Sequence, residues 1–427
     1  KRRATACSTA TMRRTIAVTT PPDMRTPPTL PRHQHGALLI LLVIALGILA
    51  AAVFVGMLSS SDIQNQRDKT TAAALAEAKA ALIGWSASRY STSGSYTPGQ
   101  LPCPEDLTLI GTANEGTAAS SCTLPATGRL PWKTLKIGDI RDGYGEKLWY
   151  AISAGFRTSP INSDTPANLT VDGIPGSAVA IIFAPGPALT GQTRPILTSL
   201  SPPLVQNYLE DENSLSSPPN NKFVTTGTPG TFNDHLLIIS HNDLFSVVEK
   251  RVTRDVITAL NQYFSDNDFF PKPASFSDPN CLGNSSIASP KCPSSTSETS
   301  GRIPANPDTA WDSTSALRGT IGAGNWFQKN GWRELIYYAP DPVCVDGTNN
   351  CPYGTLNLIT RQSTLMNQKV VVVSAGSKLP GQNRNNDSDK TTITNYFEDQ
   401  NSTPSDMIYT SVPTVVFLFN DFALSIP

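Results

Sequence analysis

The sequence predicts an α+β protein: a long N-terminal helix, transmembrane in its first part and amphipathic in its second, followed by two repeated helix-plus-antiparallel-sheet units. Three observations predict it. Residues 37–58 (ALLILLVIALGILAAAVFVGML) form a 22-residue run without charge, Asn, Gln or Pro. Blocks of residues recur about 188 positions apart in the same order. Between the blocks, short runs rich in β-branched and aromatic residues alternate with Gly-, Pro- and Asn-rich stretches, the pattern of strands and turns.

Charge gives the apolar run its setting. The chain has 427 residues, 16% of them charged, and a formal net charge of −1 from 33 basic and 34 acidic residues. Such a balance gives nucleic acid no cationic surface to bind, so no nucleic-acid partner is expected. It is unevenly distributed. Residues 1–36 hold seven basic residues and one acid, Asp23, which leaves 26 cations against 33 acids, or −7, in the rest. A basic head before an apolar run places the N-terminus in the cytoplasm and exports the body. At ~1.5 Å per residue the run would reach roughly 33 Å, enough for a bilayer core. This predicts a single-pass inner-membrane protein with a periplasmic C-terminal region. A secretory signal peptide is the competing reading, but the run exceeds the usual apolar length and no small-x-small site ends it.

The helix should continue past the run. Leu75, Ala78, Leu82 and Trp85 step by three and four, with Asp68, Lys69, Glu77 and Arg89 on other faces, and no Pro occurs between Gly36 and Pro98. One helix over 37–92 is expected, spanning the membrane over 37–58; two helices broken near Gly56 and the serines at 59–61 are the alternative.

A repeat organises the remainder of the chain. GYGEKLWYA at 143–151 answers GWRELIYYA at 331–339, and NYLEDEN at 207–213 answers NYFEDQN at 395–401. Gly186, Leu189, Gly191, Gln192 and Arg194 recur as Gly376, Leu379, Gly381, Gln382 and Arg384. Each of these sets comes after an apolar run, at 178–184 and 370–375, and GRLP at 128–131 answers GRIP at 301–304. Duplication accounts for all of this, with a first β-rich unit at 93–241 and a helix-plus-β unit at 242–427. The helix of the second unit is expected at 243–264, capped by Asn242 or Asp243, from the stripe Leu244, Val248, Val252, Val256, Leu260 and Tyr263. Last strands are expected at 236–239 and 412–419.

Two stretches carry a family resemblance. PRHQHG at 31–36, basic residues and then Gly before an uninterrupted apolar helix, resembles the leader of type IV pilins and type II secretion pseudopilins. DGYGEKLWY at 142–150 is similar to the turn that opens the sheet in major pseudopilins, although Asn330 and Arg333 depart from it in the second copy. The resemblance implies cleavage by a prepilin peptidase between Gly36 and Ala37, methylation of Ala37, and association with other pilin or pseudopilin subunits. It makes residues 1–36 a leader. Since the chain opens on Lys1, translation is expected to start at Met24, leaving the residues before it untranslated. The fifth mature position, Glu in most pilins, is Leu41 here, and no acid occurs between Gly36 and Asp62. In the family that Glu is thought to neutralise a neighbour's N-terminal amine, so its absence implies a subunit at a tip or at the start of assembly. The competing reading is a membrane anchor that never polymerises.

Cysteines agree with export. Cys7 falls in the leader. Six others allow fifteen pairings, but keeping the two units equivalent selects Cys103–Cys122 and Cys281–Cys292, leaving Cys344–Cys351. Spacings of this kind suit disulfides in an oxidising compartment better than a metal cluster.

Chemistry-bearing patterns are few. His33 and His35 lie in the leader, His235 and His241 flank a strand, and no hydrolase, phosphate-loop or dinucleotide motif occurs. Glu210, Asp211, Glu212, Glu398 and Asp399 could serve as acid–base groups but read more simply as turn residues paired with Arg194 and Arg384. The Gly-x-x-Leu-x-Gly-Gln-x-Arg blocks read as turns anchored by side-chain hydrogen bonds rather than ligand cradles. NRNNDSD at 383–389 carries oxygen donors of the kind Ca²⁺ takes, but the first copy lacks them, and a solvated loop is the simpler reading. No catalytic residue, metal or cofactor is expected. The leading reading is a structural minor pilin or pseudopilin, with an anchored or pilus-borne binding module or adhesin as the alternative; nothing in the residues supports a periplasmic enzyme.

Overall fold

The computed structural model describes residues 35–88, 98–215, 220–282, 292–295, 297–304, 326–345, 351–411 and 419–427. The chain divides into two compact units, Lys1–Asp62 and Ile63–Pro427. Helix α1 (His35–Ser88) supplies the described part of the first. There its large apolar side chains over residues 39–53 are all more than half exposed, from 52% at Ile44 to 66% at Leu39.

Among the described residues, no helix is long and apolar enough to cross a membrane. The expected span over 37–58 is therefore corrected, and with it the transmembrane part of the fold class and the single-pass inner-membrane placement. The leader and Met24 lie outside the described residues.

The second unit is α+β, with two long helices, two antiparallel four-stranded sheets and two small sheets that each add one parallel strand among the described residues. Residues 63–88 of α1 are rich in Ala, the strongest helix former, and bury Ala74, Leu75, Ala78 and Leu82 on one face. That face shares a core with one side of a four-stranded antiparallel sheet of order β1-β2-β5-β7. Its strands are β1 (Ala126–Arg129), β2 (Trp149–Ile152), β5 (Ala180–Ala184) and β7 (His235–Ile239). Strands alternate their side chains between faces, so β2 and β5 feed two cores. Tyr150, Ile152, Ala180 and Ile182 join α1. Trp149, Ala151, Ile181 and Phe183 join a second core with Leu169, Val171 and Phe223. These last come from a small sheet of order β4-β3-β6, made of β3 (Leu169–Val171), β4 (Ile174–Ala178) and β6 (Lys222–Phe223). Each fully buried large side chain contributes about 1.5–3 kcal/mol, so these central strands hold the layers together.

The same layers recur downstream. Strands β8 (Gly301–Arg302), β9 (Ile336–Pro340), β12 (Val370–Ser374) and β14 (Phe422–Ile426) form a sheet of order β8-β9-β12-β14. Beside it lies a sheet of order β11-β10-β13, from β10 (Leu356–Ile359), β11 (Thr364–Gln368) and β13 (Ile408–Thr410). Register repeats as well: Tyr150 pairs with Ile182, and Tyr338, 188 positions on, pairs with Val372. Both tyrosine hydroxyls donate to a proline carbonyl, Pro102 at 3.3 Å and Pro271 at 2.8 Å.

Helix α2 (His241–Asn267) takes the place of α1 in the second repeat and buries all six residues of the predicted stripe. Its N-cap is Ser240 rather than Asn242 or Asp243, and Asp243 completes a capping box from the third helical position. The expected strand at 412–419 lies outside the described residues over 412–418; the last described strand is β14, which comes directly after Asn420-Asp421 as β7 comes directly after Asn233-Asp234.

Three disulfides close within single repeats: Cys103–Cys122, Cys281–Cys292 and Cys344–Cys351, the pairings expected. Disulfides of this kind form in oxidising compartments. Replacing Cys103 and Cys122 by Ala should lower unfolding free energy by ~3 kcal/mol, read by denaturant unfolding of oxidised protein.

Gly143 sets the distance from α1 to the sheet. A Cβ there would lie 2.2 Å from the Arg67 carbonyl oxygen, and its N–H donates to Thr71 Oγ1 at 3.0 Å. Gly143→Ala should therefore cost about 1–3 kcal/mol. Gly138→Ala, whose Cβ would meet nothing within 4 Å, should leave the denaturation midpoint unchanged or slightly raised.

Candidate ligand cleft between the repeats

After its central strand, β5 or β12, each repeat makes the turn Gly-x-x-Leu-x-Gly-Gln-x-Arg. The second Gly of each adopts positive φ, +95° at Gly191 and +94° at Gly381, as glycine tolerates at no steric cost. The Gln Oε1 accepts from the Leu N–H of its own turn at 3.0 Å in both copies. Its amide nitrogen donates to a carboxylate, Gln192 to Glu210 at 2.6 Å and Gln382 to Glu398 at 2.7 Å. The Arg reaches backbone carbonyls on both sides: Arg194 to Gly186 and Asn207, Arg384 to Gly376 and Asn395. These blocks are anchored turns.

Beneath each turn lies a buried carboxyl pair. The Glu210 N–H donates to Asp234 Oδ2 at 3.0 Å, as does Asn213 Nδ2, and Glu398 and Asn401 repeat both bonds on Asp421. The Oδ1 of each Asp is buried without a hydrogen-bond donor. Burial, then the neighbouring Glu210 charge, pushes Asp234 up to about 8. Burial and Glu398 raise Asp421 well above the usual carboxylate range. Burying a second negative charge beside the first is unfavourable, so each aspartate holds its proton more tightly than an exposed carboxyl does. The sequence missed both aspartates, since neither stands in a recurring block long enough to notice.

The arginines find acids elsewhere than expected. Arg194 pairs with Glu146 at 3.1 Å, inside its own repeat. Arg384 pairs with Asp164 of the first repeat at 2.8 Å, with 2% of its side chain exposed. Three further bonds tie the same first-repeat loop to the second repeat. The Ile161 N–H donates to Asn330 Oδ1 at 2.8 Å, Asn162 Nδ2 to the Asn330 carbonyl at 2.6 Å, and Ser163 Oγ to Glu249 Oε1 at 2.6 Å. Asn330 thus replaces the turn-forming Asp142, whose Oδ1 accepts from Tyr144 and Glu146 N–H groups, with a link between repeats.

Above this seam lies a cavity of about 310 Å³ lined by Ser163, Asp164, His241, Ser377, Lys378 and Arg384. A second, of about 520 Å³, adjoins it through His241 and Ser377. It is walled by Phe245, Phe419 and Phe422, with Glu249, Lys250 and Arg361 at its polar side. Burial pushes Glu249 up to about 8, and burial lowers His241 below its ordinary value. Ser163, His241 and Asp164 are residue types of a hydrolytic triad, but Ser163 gives its hydrogen to Glu249 and Asp164 is held by Arg384.

The other candidate residues lie apart. His235 is exposed at the start of β7. In the stretch 383–389, Asn386 caps the turn Asp387–Lys390, and among the described residues no His, Cys, Asp and Glu group is placed to hold a metal. Gly36 and Ala37 fall in the first turn of α1, and Leu41 is 64% exposed. Comparison of the chain with family models, curated proteins and solved structures finds no match.

The carboxyl pairs set a pH dependence. Folded-state values above the ordinary carboxylate range mean that the folded chain holds these protons more tightly than the unfolded one. Their stabilisation is complete below about pH 4 and is lost as pH rises towards about 8. Glu249 acts in the same direction. Unfolding free energy should fall by a few kcal/mol between pH 5 and pH 9 in guanidinium titrations, with a shallower slope in Asp234→Asn and Asp421→Asn.

Proposed function

We propose that this chain is a structural, non-catalytic subunit of a filament, of the minor pilin or pseudopilin kind, placed at a tip or at the start of assembly. One observation carries the reading. Over residues 39–53 the large apolar side chains of α1 stand more than half exposed, whereas Leu75 and Leu82 of the same helix are buried at 6% and 0%. A continuous apolar surface of this extent marks an interaction site, and equivalent helices of neighbouring subunits would cover it. Leu41, the fifth residue after Gly36–Ala37, brings no carboxylate to such a bundle. A burial partner for a neighbour's amine is then missing, which suits a subunit without a neighbour on that side. The junction PRHQHG names the partner enzyme, a prepilin peptidase, and the remaining partners are other subunits of the same kind.

Two experiments test the reading. Co-expression with a prepilin peptidase should shorten the protein to a chain starting at Ala37, and Gly36→Val should abolish the shift; an uncut wild type would falsify the leader assignment. Leu46→Asp should leave the thermal midpoint of residues 63–427 in the full chain unchanged while removing the protein from sheared filaments. Recovery of the variant in filaments at the wild-type level, or of the wild type at the abundance of the main subunit, would count against the proposal.

A further inference from the structure

The larger cavity of the cleft combines three features. Its walls are aromatic: Phe245 and Phe419 are buried, and Phe422 carries the Lys250 ammonium 5.8 Å from its ring centroid. Its cations are uncommitted. Lys250 and Arg361 here, and Lys378 in the adjoining cavity, are exposed, and among the described residues none forms an ion pair. Its carboxyls do not cancel those charges. Burial pushes Glu249 up to about 8 and raises Asp421 well above the usual carboxylate range, and Asp164 is taken by Arg384. His241 and Asn242, in the first turn of the 27-residue helix α2, complete the rim, so the positive end of that helix dipole adds to the side chains.

An inorganic anion would satisfy the cations but leave the phenylalanine wall without contact. A neutral aromatic would fill the wall and leave the cations idle. We propose that the larger cavity, built by the second repeat, binds an organic carboxylate with a flat, apolar body, the ring lying against the wall of Phe245, Phe419 and Phe422 and the carboxylate facing Arg361 and Lys250. A cavity of about 520 Å³ suits a single ring system with a short acidic arm, within the roughly 300–1,000 Å³ usual for small-molecule sites. Arg361 is the natural bidentate partner, because its planar guanidinium presents paired donors to the two carboxylate oxygens. This binding requires neither leader cleavage nor filament assembly.

The test titrates the full chain at pH 7 with three probes by isothermal calorimetry: indole-3-acetate, its neutral amide indole-3-acetamide, and inorganic phosphate. Saturable binding of the acetate is expected, with the amide at least tenfold weaker and phosphate weaker still. Arg361→Gln and Lys250→Gln should each weaken the acetate severalfold without shifting the thermal midpoint. Lys222→Gln, on β6 and away from the cleft, should bind as the wild type does. Equal affinity for acetate and amide would overturn the proposal, as would phosphate binding as tightly as the acetate. So would no saturable binding of any probe, or Gln variants that bind like the wild type.

Discussion

The Arg384 guanidinium is the contact on which the arrangement of the two repeats depends. Taking a cation out of water costs several kcal/mol unless its donors are met. Here they are met on two sides: the Gly376 and Asn395 carbonyls and Gln382 within its own turn, and Asp164 across the seam. Removing Asp164 would leave a buried charge short of its only described acid, so the loop at 161–165 and the second repeat are held as a pair. Arg194 shows the same turn closed within one repeat. It makes the same backbone bonds but takes its acid, Glu146, from its own repeat. Glu146 corresponds to Glu334, which instead meets Lys390 at 3.0 Å. With its counterpart acid engaged elsewhere, Arg384 turns to the other repeat, and two copies of one unit acquire an interface.

Much of the body was legible because its signals are local. Period-three-and-four stripes in 63–88 and 244–263, apolar runs at the central strands, and recurring Gly, Gln and Arg each report a constraint that neighbouring residues share. The cysteine pairings came from the repeat because equivalence removes most of the fifteen possibilities. What sequence could not show are partners brought together from far apart. Asp234 and Asp421 take their meaning from Glu210 and Glu398, more than twenty residues away, and Asn330 from a loop about 170 positions earlier. The cleft assembles from five separate stretches, and of its four cations Lys250 and Arg361 stand in no motif.

The two helices divide the labour of the repeats differently. Helix α2 is wholly used, buried along the stripe from Leu244 to Tyr263 and finished by caps at both ends. In α1 only the later part bears on a sheet, and there Ala and Gly143 let the backbones come close, with no room for a larger residue at the contact. In its earlier part, over residues 39–53, the large apolar side chains are more than half exposed. The same element thus serves as core in one place and as an unmet contact in another.

The placement of the disulfides has a mechanical consequence. All three close inside a repeat, and none crosses the seam. Under tension applied along the chain, the first staple withholds the length of a 19-residue separation, about 65 Å of extended backbone. Among the described residues the seam between repeats has no disulfide; it is held by Arg384, the bonds around Asn330 and Glu249, the Lys79–Asp243 ion pair and an apolar core shared by both repeats. A pull on the two ends therefore loads that seam before it can lengthen the stapled loops. Repeats that part there would each keep their loops in place, and could meet again without any thiol chemistry.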